Sequence, residues 1–299
     1  MIGAGTATAA GFVYARRQRI RLYRNLEGRV ARIVDAGVLD LGNLAQREPP
    51  RFGDRFAVLP DLLPARTFAA LKADAERLVA PERSFVPAHK KGGTVAYETL
   101  IASAPTIVSF YHCAGFQDFI SRLVGVRVRP TPINDQSSLS VLFYDKPGDH
   151  IGWHYDHNFY RRRHFTILIA LTNKGGAVGG RSHAELRARI AGREIAVSAA
   201  PNTAVVFEGA QVRHKVTPIR TGEQRLILSM TYCTDPRSRW WQGASRRIKD
   251  TAFFGIRAVD VRQRRLERPS LFKFDGACGR DRTRRLGYRM GHVLCASLP

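Results

Sequence analysis

The stretch Tyr144-Asp-Lys-Pro-Gly-Asp-His-Ile-Gly-Trp-His154-Tyr-Asp156-His-Asn158 joins an aromatic, β-branched run to a histidine and a carboxylate two positions apart. On an extended chain His154 and Asp156 share a face, and two short ligands on one face can grip one metal ion. Around this stretch the hydrophobic period is two. Ser138–Asp145, Ile151–Asp156, His164–Asn173, His183–Ile190, Glu194–Ala199, Thr203–Glu208, Val212–Ile219 and Arg225–Thr234 read as short strands, separated by turn signals such as Pro147-Gly148, Gly175-Gly176, Gly209 and Thr221-Gly222. Closely spaced strands with no helical pattern between them predict an antiparallel sheet, closed or sandwiched. A doubly wound parallel sheet is excluded, because each of its crossovers needs a helix.

Upstream, the period lengthens to that of a helix. Leu22, Leu26, Val30 and Ile33 recur at helical spacing among arginines over 16–36. After a linker containing Pro49, Pro50 and Gly53, Phe56–Pro64 predicts a short strand, then a helix opened by Pro64 that buries Phe68, Leu71, Ala75 and Leu78. Phe116, Phe119, Ile120 and Leu123 give 105–125 an apolar helical face. The expected fold class is therefore mainly β with flanking helices. Three segments are expected: 1–50, apolar then basic and helical; 51–245, the central domain; and 246–299, a basic, loosely ordered tail.

Composition narrows the function. The 299 residues are 44% hydrophobic, enough to bury a substantial core. The formal charge of +23 invites an anionic partner, yet 16–35 and 246–289 carry more than half of it, so a site argument starts in the middle. Cys113, Cys233, Cys278 and Cys295 contain no CxxC spacing, which speaks against a zinc knuckle or disulfide scaffold and fits a reducing, cytoplasmic setting. The apolar run Ile2–Tyr14 precedes its arginines, the reverse of a secretory signal, and is too short to span a bilayer. Weak, peripheral membrane contact through this N-terminal segment is retained as an expectation.

Further along, His214 lies within Val205-Val-Phe-Glu-Gly-Ala-Gln-Val-Arg-His214-Lys-Val-Thr-Pro218, and Arg225 opens the last strand. Two imidazoles and one carboxylate on a β scaffold make the facial triad of non-haem Fe(II) oxygenases, which leaves three positions for a chelating acid and O2. Arg225 offers the planar fork that a carboxylate needs.

Here the sequence resembles the Fe(II)/2-oxoglutarate-dependent oxygenases. The likeness runs from Arg55 to Trp241 and rests on His154-x-Asp156, the His214-x-Val-Thr-Pro-x-x-x-Gly-x-x-Arg225 block, Tyr144 and the Gly179-Gly180 pair. It implies a double-stranded β-helix, a jelly-roll or cupin-like core, in which His154, Asp156 and His214 hold Fe(II). It also implies that Arg225 pairs with the distal carboxylate of 2-oxoglutarate, that Tyr144 donates to that cosubstrate, and that O2 is the second cosubstrate. Thr166 or Thr172 stands where many members place a further hydroxyl or ring.

Gly-Trp-His154-Tyr-Asp156, Tyr160, Arg163, Thr231-Tyr-Cys-Thr-Asp235 and Trp240-Trp241 look like the branch that hydroxylates or halogenates free amino acids. Halogenating members carry a small residue in place of the carboxylate, so Asp156 implies oxygen transfer. Trp240, Trp241 and Arg163 are the candidate substrate contacts. Expected is a dioxygenase that hydroxylates a small molecule and releases succinate and CO2. The alternatives are an oxygenase acting on nucleic acid or a protein side chain, and a non-catalytic cupin-like binding protein. Thr231 stands where nucleic-acid-repairing relatives carry a second Arg.

Overall fold

The computed structural model describes residues 3–37, 39–78, 83–86 and 90–237. The chain divides into two units, Met1–Val261 and Arg262–Pro299, and everything described belongs to the first. Trp240, Trp241 and the expected tail lie outside the described residues.

The strands are β1 (Phe56–Leu59), β2 (Arg83–Val86), β3 (Lys90–Val95), β4 (Arg129–Pro130), β5 (Leu139–Tyr144), β6 (His150–His154), β7 (Arg161–Lys174), β8 (Leu186–Ile190), β9 (Arg193–Val197), β10 (Ala204–Phe207), β11 (Arg213–Val216) and β12 (Gln224–Asp235). They form one antiparallel sheet in the order β1-β10-β7-β12-β5-β3-β6-β11-β8-β9, with β2 on β3 and β4 on β12. The helices are α1 (Gly3–Ala36), α2 (Ala65–Arg77), α3 (Tyr97–Ser103), α4 (Pro105–His112) and α5 (Ala114–Val124).

Side-chain alternation sends each strand's residues into two cores. Phe165, Ile167 and Ile169 of β7, Val206 of β10, Leu226, Leu228 and Met230 of β12, and Val141 and Phe143 of β5 pack with the helices. Their neighbours in sequence face the other way. Ala170, Val205, Phe207, Ile227 and Tyr144 share a second core with Leu186 and Ala188 of β8 and Val216 of β11. Strands from both ends of the order thus meet inside one cluster, so the sheet curls over itself into the half-barrel of a jelly-roll.

Each of the eight expected strands forms: β5, β8, β10 and β11 are shorter than expected, β7 and β12 longer, and β6 and β9 begin one residue earlier and end two residues sooner. The helical pieces expected over 105–125 are two helices, broken at Cys113. Other details depart from expectation. Helix α1 begins well before Arg16; of its expected apolar face Leu26 and Val30 are buried, and it packs on α3 and α4. No helix among the described residues is long and apolar enough to cross a membrane.

A further departure is β3, which the sequence reading missed because Gly92-Gly93 weakens any strand propensity. It nevertheless bridges β5 and β6. Gly93 opposes Phe143, whose ring occupies the space a Cβ would need.

Candidate metal and cosubstrate site

Three elements bring the ligand candidates together. His154 ends β6 and sits directly across from His214 of β11, with ring centroids 4.1 Å apart. Asp156 is not on a strand, because β6 stops at His154, and the shared face has another cause: its N–H donates to the Gly209 carbonyl (3.0 Å) in the loop between β10 and β11. One donor atom from each of the three residues lies within 4.8 Å of the others.

The atoms are aimed for a cation. Asp156 Oδ1 is 3.7 Å from His154 Nε2 and 3.7 Å from His214 Nε2. His154 Nδ1 donates to the Gly152 carbonyl (2.8 Å) and His214 Nδ1 to the Val212 carbonyl (3.0 Å). A carbonyl can only accept, so each Nδ1 carries the proton and each Nε2 presents a lone pair inward. Burial alone would raise the Asp156 carboxyl, but His214, His154 and the Thr166 hydroxyl outweigh it and hold it down to about 2. The carboxylate is ionised at neutral pH.

The triad opens into a cavity with apolar walls, among them Leu142, Leu168, Val205 and Ile227. Tyr144 and Arg225 are direct cross-strand partners and line the same cavity. Arg225 is 2% exposed, and its Nε and Nη1 have no hydrogen-bond partner; neither has the Tyr144 hydroxyl. Burial lowers the Arg225 guanidinium from its usual value, and burial raises the Tyr144 phenol, so Tyr144 stays a neutral donor. A buried guanidinium without an acceptor is costly. The orphaned donors of Arg225 and Tyr144 match one carboxylate.

Arg163 does not join this group. It alternates away from Thr166 on β7, bonds Glu208 (3.2 and 3.4 Å), and lies 4.8 Å over the Phe165 ring. Thr172 points to Glu76 of α2 (3.5 Å), whereas Thr166 lines the cavity and bonds Asp156. His164 is buried outside the triad, and His183 pairs with Glu223. Ser229 also lines the cavity, a position the sequence reading left unremarked; its parity with Arg225 on β12 is the signal that could have found it. Gly209 was read only as a turn signal.

A family model described as Halogenase D matches residues 46–240. The chain belongs to the Halogenase D family. No curated protein sequence matches it. Among solved structures, the non-haem α-ketoglutarate-dependent epimerase SnoN from nogalamycin biosynthesis is similar, with a TM-score of 0.51 and 18% identity over 63% of this chain and 80% of that one. An oxidoreductase of the 2OG-Fe(II) oxygenase family from Burkholderia pseudomallei gives a TM-score of 0.51 and 17% identity over 68% and 96%. These two likenesses are of fold. Family and fold agree with the sequence resemblance to the Fe(II)/2-oxoglutarate-dependent oxygenases, which use iron and 2-oxoglutarate. The donor set fits both groups: an imidazole–carboxylate–imidazole triad for the metal, and an unpartnered Arg–Tyr pair for the dicarboxylic acid.

Proposed function

We propose that this Halogenase D family member hydroxylates a C–H bond of a small substrate, a free amino acid, while 2-oxoglutarate and O2 become succinate and CO2. His154, Asp156 and His214 are the metal ligands in this reading, Arg225 and Tyr144 the cosubstrate contacts. The bound iron would supply the oxidising chemistry. The chain's own residues do the rest. Arg225 and the Tyr144 hydroxyl would orient the distal carboxylate, and the apolar walls exclude water from the reacting end of the cavity.

The observation that carries hydroxylation over halogenation is Asp156. A carboxylate oxygen stands 3.7 Å from both imidazole nitrogens, at the place halogenating relatives leave open for chloride. The confined cavity favours a small substrate over a polymer, and the amino-acid class rests on the sequence resemblance.

The test is anaerobic loading of the full chain with Fe(II) and 2-oxoglutarate, followed by a succinate-release screen against the common amino acids in chloride-containing buffer. The chelate's weak visible band should appear, and product mass should show one added oxygen and no chlorine. Asp156→Ala and His214→Ala should each abolish the band and succinate release. Wild-type-like turnover in either variant, or a chlorinated product, overturns the reading.

A further inference from the structure

The two oxygens of Asp156 have different surroundings. Oδ1 faces the two imidazoles, while Oδ2 accepts a hydrogen bond from Thr166 Oγ1 at 2.5 Å. Thr166 is 4% exposed and sits in the middle of the sheet, paired with Phe207 of β10 on one side and Thr231 of β12 on the other. Its backbone is held between two neighbouring strands.

Gly209 completes the arrangement. Its carbonyl takes the Asp156 N–H at 3.0 Å, which fixes the ligand's backbone. A Cβ at position 209 would collide with Asp156 Oδ2 and would lie 2.7 Å from both Asp156 Cβ and Thr166 Oγ1. Such contacts are closer than packed atoms allow, so any side chain there would push the carboxylate and its hydroxyl partner apart.

We propose that Thr166 and Gly209 are positioning residues that fix the rotation of Asp156, so that one carboxylate oxygen alone is presented to the metal. The inference rests on the metal reading above and goes beyond it. Its consequence follows from counting. Two imidazoles and one carboxylate oxygen leave three of six positions on an octahedral ion, two for a chelating acid and one for O2. If Asp156 rotated to offer both oxygens, it would occupy the last of these. A hydroxyl bound to Oδ2 withholds that oxygen, and the missing Cβ at 209 provides the room for it.

The experiment is an anaerobic Fe(II) titration of the full chain and of Thr166→Val, Thr166→Ser and Gly209→Ala. Nitric oxide is then added to the Fe(II)/2-oxoglutarate-loaded proteins, and the EPR signal reports whether a coordination position is free. Losing an outer-shell partner typically costs a metal site about 10–100-fold in affinity, so Thr166→Val and Gly209→Ala should fall in that range, whereas Thr166→Ser should stay within about threefold. The nitric oxide signal should drop in Thr166→Val and return in Thr166→Ser. Unfolding midpoints of the metal-free proteins identify any variant that fails to fold, and Thr166→Ser carries the test in that case. Affinity or nitric oxide signal unchanged in Thr166→Val overturns the inference, and so does a Thr166→Ser protein as impaired as Thr166→Val. A wild-type chain that takes up no Fe(II) is a different result: it overturns the metal reading, and the positioning role with it.

Discussion

Replacing Arg225 by Met should harm cosubstrate binding while stabilising the empty protein. The side chain is 2% exposed, and Nε and Nη1 bond to nothing. Hydrogen bonds to a charged group contribute about 1.5–3 kcal/mol each. Two of them to a carboxylate give about 3–6 kcal/mol, which raises the 2-oxoglutarate Kd about 10²–10⁴-fold at 1.4 kcal/mol per decade. Without ligand the balance reverses, because replacing a buried charge with an apolar group of similar size is often stabilising by about 1–4 kcal/mol. For a unit of this size each kcal/mol moves Tm by about 2–4 °C, so Arg225→Met should melt higher in the ligand-free state. Differential scanning fluorimetry with and without 2-oxoglutarate reads both effects, and an Fe(II) titration should show metal affinity nearly unchanged. A variant that melts lower without ligand yet keeps wild-type 2-oxoglutarate affinity would refute the argument. Such a result would mean that the guanidinium is a structural group with partners of its own.

Three further outcomes follow from the same geometry. Tyr144→Phe removes one unpartnered hydroxyl, so calorimetry should show 2-oxoglutarate binding weakened by about tenfold, with little change in ligand-free stability. Gly93→Ala puts a Cβ into the Phe143 ring and should destabilise by about 1–3 kcal/mol in urea unfolding, the usual cost of overpacking. His112 is held neutral: burial lowers it from 6.5 to about 4, and its Nε2 shares a hydrogen bond of 2.6 Å with the Tyr97 hydroxyl. The unfolded chain takes up a proton below pH 6.5 and the folded one only near 4, so stability falls as pH drops through that window, by about 3 kcal/mol at most. His112→Gln should flatten that part of the pH–stability curve, and a curve as steep as wild type would rule His112 out as its source.

How much of this could be read from the chain depends on what each position encodes. Runs such as His164–Asn173 and Arg225–Thr234 declare themselves as strands because β-branched and apolar residues fill both faces, and both became long central strands. The strand at Lys90–Val95 declares nothing, since two glycines occupy its middle: Gly93 leaves room for the Phe143 ring, and Gly92 takes a positive φ. The same contrast runs through the site. His154, Asp156, His214 and Arg225 were visible because their side chains are of the types that metal and carboxylate binding require, and the structure gathers three of them within 4.8 Å and sets the fourth in the same cavity.

What the sequence could not supply was the reason Asp156 faces its partners. The strand parity that predicted it ends two residues too early. The position comes instead from a carbonyl and a missing Cβ at Gly209, and from a hydroxyl on Thr166, groups brought together only by the pairing of β7 with β10. Ligand identity is local information, whereas ligand orientation is long-range. A glycine read as a turn signal can therefore matter as much to the proposed metal site as the carboxylate it makes room for.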